Sequence, residues 1–214
     1  MKWSGTMRKL LGACLVVSIL LAAPAADAQR RSPVTLVLVP GAGGPVPNDF
    51  LIRNIPAFQA SGLETVVATS AGEAAAAASG AVAQGRKAVL VGMSAGTPTV
   101  AEAIAAGAPA SGAIFVSGAL MPPGIRGSSV VGALGSPARL PPTLVVHHRR
   151  DGCMMTPPEG VPEFSRWAGG RARVAWVDGG PPPESPPCTV MTPHGFLDQD
   201  RRPVAAIASF ARAR

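Results

Sequence analysis

Residues 87–106, KAVLVGMSAGTPTVAEAIAA, narrow what this chain can fold into more than any other stretch. Residues 88–91 form a short apolar run with β-branched residues, the pattern of a strand buried on both faces of a parallel sheet. Gly92-Met93-Ser94-Ala95-Gly96 follows directly, and a helix-compatible stretch begins with Pro98 in its first turn, where a missing N–H costs nothing. Strand, G-x-S-x-G and helix in succession are the context in which this motif forms a sharp turn that holds a serine hydroxyl clear of the sheet. Bare G-x-S-x-G arises easily by chance in a chain with 25 glycines. The flanking strand and helix give it weight.

The first residues do not read as part of this fold. Lys2, Arg8 and Lys9 form a basic opening, residues 10–23 an apolar run, and Ala26-Asp27-Ala28 an A-x-A cleavage site before Gln29. Residues 1–28 are therefore expected to be a secretory signal peptide, with an apolar run too short to span a bilayer comfortably. Leu11-Gly12-Ala13-Cys14 resembles a lipobox only faintly, because most of the apolar run lies after it rather than before. The expectation is an exported protein, periplasmic or secreted, with no stable membrane anchor after cleavage.

Residues 29–214 remain as one domain, long enough for a real core. The leader carries three basic residues and one acidic, so the net charge of +7 falls to +5 without it. The positive residues are scattered and tyrosine is absent, so no stacking platform for nucleic acid is in view. Cys153 and Cys188 are the two cysteines left, and an even count in an exported chain favours a disulfide.

Along the chain, short apolar runs at 34–39, 63–68, 88–91, 113–117, 143–147 and 173–177 read as strands. Helices are expected between them: from Asn48 or Asp49 to about Ala60 with a kink or early end at Pro56, then 73–84, 161–168 and 202–212. Residues 118–142 are rich in Gly, Pro and Ser and read as a loop with one short helix. This alternation predicts an α/β fold in three layers, a mostly parallel central sheet covered by helices on both faces. Ligands in such sheets sit beyond the carboxyl ends of the strands, where Ser94, Gly41–Gly44 and Asp151 all fall.

A serine hydroxyl is a weak nucleophile and needs a base within hydrogen-bond reach, itself oriented by a carboxylate. Ser94, Asp151 and His194 stand in the chain order of the α/β-hydrolases. Over nearly all of residues 29–214 the chain resembles a small α/β-hydrolase. The resemblance rests on Gly92–Gly96, on His148-Arg149-Arg150-Asp151, and on His194-Gly195-Phe196 before the closing helix. It implies Ser94 as nucleophile, Asp151 as acid and His194 as base. Among the three histidines, His147 and His148 are neighbours at a strand end and point to opposite faces, so they chelate no common metal well. Asp178, after the last strand, is the alternative acid.

Two backbone amides are needed to stabilise a developing oxyanion. Ala95 supplies one on this reading, and the turn Gly41-Ala42-Gly43 the other, through Ala42 or, failing that, Gly43. Many α/β-hydrolases carry a histidine before this turn, whereas here Pro40 takes the place. The same glycines open a G-x-G-x-x-G pattern, but Val46 holds its last position and no carboxylate ends the second strand, which argues against a dinucleotide site.

Taken together, the expectation is a serine esterase acting on a small-molecule acyl ester, without metal or organic cofactor. Residues 118–150 offer no clear helical cap, so the site is expected to be shallow, with Met93, Met121, Met154 and Met155 as candidate lining. Two other readings remain open: a catalytically silent binding protein of this fold, and a peptidase or amidase using the same triad. Oligomeric state is not legible.

Overall fold

The computed structural model describes residues 1–2 and 33–214. The expected signal peptide, its cleavage site and Cys14 thus fall almost entirely outside the described residues.

Six strands form one sheet: β1 (Val34–Val39), β2 (Glu64–Val67), β3 (Lys87–Met93), β4 (Gly112–Val116), β5 (Thr143–His148) and β6 (Ala172–Val177), in the order β2-β1-β3-β4-β5-β6. Every neighbouring pair is parallel. The inner strands β1, β4 and β5 are buried along their whole length, and β3 everywhere but its first residue. That burial is why they read as unbroken apolar runs: a parallel strand covered on both faces has no polar side to alternate. At one edge β2 is mostly exposed, and at the other β6 is largely half-buried.

Alternate strand residues feed two apolar clusters, one per face. On one face Val37, Leu90, Phe115 and Val145 pack against α3 (Ala71–Ala83), α4 (Gly96–Ala105), α5 (Val130–Leu134) and α6 (Gly160–Trp167). On the other, Leu36, Val91, Ile114 and Val146 meet α1 (Phe50–Arg53), α2 (Ile55–Ala60) and α7 (Arg201–Arg212). The result is the three-layer α/β sandwich that the sequence predicts.

The helix expected from Asn48 or Asp49 to Ala60 is two helices, separated at Asn54. Pro56 lies in the first turn of α2, where its absent N–H is harmless, but a continuous helix would have needed that N–H. Asp49 caps α1, its Oδ1 accepting from the Leu51 and Ile52 amides at 2.8 and 3.4 Å. The loop expected over residues 118–142 holds α5 and a short 3-10 turn, Pro137–Arg139.

Candidate functional site

The chain runs from β1 outward to β2, then returns to β3 and proceeds the other way. A crevice therefore opens at the carboxyl ends of β1 and β3, the position where parallel sheets bind ligands. Gly41–Gly44 leaves β1 at this point and Ser94 leaves β3.

Ser94 follows the last residue of β3 with φ = +50°, a left-handed conformation that side-chain-bearing residues rarely adopt. The turn is pinned: the Ser94 amide donates to the Val116 carbonyl at 2.9 Å. The Thr97 amide and hydroxyl donate to the Ser94 carbonyl at 3.0 and 2.7 Å. Both motif glycines are sterically required. A Cβ on Gly92 would stand 2.6 Å from the Gly96 carbonyl oxygen, and one on Gly96 only 2.2 Å from that of Val39. With those side chains absent, α4 starts directly against β1 and β3, and Ser94 stays half-buried at the crevice.

His194 sits on a short 3-10 turn, Pro193–Gly195, after the long proline-rich loop. Its amide donates to Thr192 Oγ1 at 3.1 Å, and the buried Ser117 hydroxyl donates to its carbonyl at 2.8 Å. A Cβ on Gly195 would lie 2.3 Å from the Val190 oxygen, so this turn too admits only glycine there. Asp151 lies just beyond β5, with Oδ1 accepting from the Cys153 amide at 2.9 Å and Oδ2 from His194 Nδ1 at 2.9 Å. An ionised carboxylate can only accept, so Nδ1 carries the proton and Nε2 is left to act as a base. Thr156, fully buried, places its hydroxyl 3.3 Å from His194 Nδ1 and 3.5 Å from Asp151 Oδ2.

Asp151 and His194 are each at most 5% exposed. Burial pushes the Asp151 carboxyl up, but the neighbouring His147 and His194 rings outweigh that and hold it well below the usual carboxylate range. The structure thus brings Asp151 and His194 into contact. It does not join Ser94 to them: the Ser94 hydroxyl makes no hydrogen bond to the His194 ring, whose bonds go to Asp151 and Thr156. Asp178, the alternative acid, is exposed and bonds its neighbour Gly179, away from His194.

The expected oxyanion donors lie together. A Cβ on Gly41 would be 3.6 Å from Ser94 Cβ, so the β1 turn is in contact with the serine. The Gly41 amide is committed to Asp49 Oδ2 at 3.0 Å, whereas Ala42, Gly43 and Ala95 show no intrachain acceptor for theirs. Ala42 and Ala95 border one hollow of about 280 Å³ with Pro98, Ile125 and Arg126. Met121, Met154 and Met155 line a second of about 480 Å³, which shares Arg126 with the first. Met93 does not join them: it points into the apolar cluster beneath the sheet and is 3% exposed.

Cys153 and Cys188 form a disulfide that joins the Asp151 loop to the loop carrying His194. Sequence reading misses Asp49 as a brace of the Gly41 turn, and misses Ser117, Thr156 and Arg53. Arg53 grips Asp200 through two contacts of 2.8 and 2.6 Å and donates to the Gly195 carbonyl at 2.6 Å, tying α1 to the base loop. Only Asp49 carried a sequence signal, as a helix cap. Among the described residues no group of three or more His, Cys, Asp or Glu is arranged to hold a metal ion.

No family model matches the chain. No curated protein sequence matches it either. Solved structures do. The esterase domain of a Rhodothermus marinus protein superposes with a TM-score of 0.62 at 12% identity, covering 86% of this chain and 89% of that one. Est1E from Butyrivibrio proteoclasticus gives 0.56 at 16% identity over 84% and 87% of the two chains. A monoacylglycerol lipase from Paleococcus ferrophilus gives 0.56 at 15% identity over 86% and 96%. The fold is that of the α/β-hydrolases.

Proposed function

We propose that this chain of α/β-hydrolase fold is a serine hydrolase of carboxylic esters, working through Ser94, His194 and Asp151. The observation that carries the reading is the buried Asp151–His194 hydrogen bond of 2.9 Å, made beyond the carboxyl end of the same parallel sheet that Ser94 leaves in a strained turn. A triad needs an imidazole held in one tautomer with its far nitrogen free, and this pair supplies one. In the proposed reaction Ser94 Oγ attacks the ester carbonyl while His194 Nε2 takes the hydroxyl proton. The Ala95 amide and that of Ala42, with Gly43 as the alternative, stabilise the oxyanion at the N-terminus of α4. His194 then protonates the leaving alcohol, and a water activated by the same ring releases the acid and restores the serine. Asp151 stays ionised and orients the imidazole throughout.

The hollow bordered by Met121, Met154 and Met155 is a suitable seat for a short acyl group. Its lining, largely loop residues such as Leu120, Pro122, Met154 and Pro157, suits small, accessible esters. Export remains part of the reading, and the Cys153–Cys188 bond supports it, since such bonds persist in oxidising compartments.

The ungripped Ser94 hydroxyl favours one other reading, a silent binding protein of the same fold. Catalytic hydrogen bonds in ligand-free enzymes are often long and tighten when substrate binds, so the two readings part on reactivity rather than on this distance. A fluorophosphonate probe should label wild type and leave Ser94→Ala unlabelled; no labelling of wild type at neutral pH would favour the binding role. Comparing p-nitrophenyl esters of rising chain length with aminoacyl anilides then separates esterase from peptidase, with short esters expected to turn over fastest.

A further inference from the structure

His147, the penultimate residue of β5, is fully buried, and neither of its ring nitrogens makes a hydrogen bond. An orphaned buried polar group of this kind is costly and calls for a reason. Its strand neighbour His148 is in a different position: Nδ1 accepts from the Arg150 amide at 3.0 Å and Nε2 lies 3.2 Å from the Gly179 carbonyl. The His147 ring is seated edge-on against Trp176 of β6, at 6.1 Å between centroids and 75° between planes. In that seat Nε2 lies 3.4 Å from Asp151 Oδ2, the same oxygen that accepts from His194.

The proton belongs on Nε2, because a bare lone pair there would face the carboxylate and be repelled by it. At 3.4 Å the pair is within reach of a hydrogen bond that its alignment does not complete. We infer that His147 is a positioning residue for Asp151, a second imidazole donor beside His194 that fixes Oδ2. The inference rests on the triad reading above. With the Cys153 amide on Oδ1, the carboxylate is then braced on both oxygens, and it keeps its aim as the charge on His194 changes during the reaction. His147 touches no substrate. Its loss should therefore lower kcat and leave KM alone.

Three substitutions separate this role from simple packing. His147→Phe keeps the ring and its contact with Trp176 but removes the donor. His147→Gln restores an N–H near the Nε2 position, and His147→Asn places the same amide nearer Nδ1. Turnover of p-nitrophenyl acetate and melting temperature are measured for each. His147→Phe and His147→Asn are expected to lose about tenfold or more in kcat with KM within about twofold, and His147→Gln to recover most of the loss. Should His147→Phe not fold, the Gln–Asn comparison decides alone, because both are amides of like polarity. Equal kcat for these two, or a wild-type kcat in His147→Phe, overturns the inference. Failure of the triad reading looks different: wild type itself would then show no Ser94-dependent turnover, and the inference would fall with it.

Discussion

Ser94 holds φ = +50°, and a residue with a side chain pays about 1–2 kcal/mol for that region. Its hydroxyl makes no hydrogen bond that would offset the cost, so the strain is kept for what the side chain does. Glycine adopts the same backbone freely, although it loses more entropy on folding. Ser94→Gly is therefore expected to abolish turnover while raising the melting temperature by up to about 2–4 °C, on the scale of 1 kcal/mol for a domain of this size. Calorimetry checks it; a lower melting temperature would show that the turn is not strained. Asp151 leads to a second prediction. Burial works against its charge, but the two imidazoles hold its folded pKa below the usual carboxylate range. The unfolded chain, with an ordinary value of about 3.9, then takes up a proton first as pH falls. The stability Asp151 contributes is thus complete above about pH 4 and drains away as pH drops toward the folded value. Asp151→Asn lacks this contribution, so its melting temperature should fall less steeply than that of wild type between pH 5 and pH 2 in parallel scans.

The glycines of the β3–α4 turn show how one element is set by what it must approach. A methyl group on Gly96 would meet the Val39 oxygen at 2.2 Å, and Val39 is the last residue of β1. Gly96→Ala must therefore push α4 away from the sheet, and a loss of about 1–3 kcal/mol or more is expected by chemical denaturation, with activity falling alongside. This dependence was legible in part, because G-x-S-x-G between a strand and a helix implies a close strand–helix approach, although not that β1 is the strand Gly96 meets. The four inner strands were legible for a related reason: burial on both faces leaves a continuous apolar run with no polar side to alternate. What was not legible is the bracing of the loops. Asp49 could be read as a cap, yet its second oxygen holds the Gly41 amide, a contact made only once β1 and α1 are in place. Asp49→Ala is accordingly expected to cost about 1 kcal/mol for the lost cap and, beyond that, to lower kcat by freeing the Gly41–Gly44 turn. A kcat equal to wild type would limit Asp49 to capping.

At the scale of the molecule, the proposed acid and base come from loops that leave adjacent strands, β5 and β6, and no strand pairing fixes those loops to each other. Two ties do. Arg53 reaches from α1 to Asp200 and to the Gly195 carbonyl, holding the base turn from the side of α1. The Cys153–Cys188 bond holds it from the acid side: Cys153 is two residues beyond Asp151, and Cys188 six before His194. The sequence offered the second tie, because two cysteines in the stretch expected to remain after export suggest a partner for each other. It offered no sign of the first, since an arginine 147 positions from its aspartate reads as solvated surface. The disulfide closes a loop of 35 residues, which the chain-entropy model values at about 3–4 kcal/mol through the unfolded state. If that were its whole effect, Cys188→Ser would melt on the order of 10 °C lower and turn over at the wild-type rate in the cold. The position of the bond argues for more, because its two ends flank the one hydrogen bond on which the base depends, and small misplacements there are expensive. Cys188→Ser is expected to lose kcat as well, well below its melting temperature and with KM little changed. Wild type reduced by dithiothreitol should behave the same way. A lowered melting temperature with undiminished kcat in both would reduce the bond to a stabilising clip and leave Arg53 as the tie that sets the base.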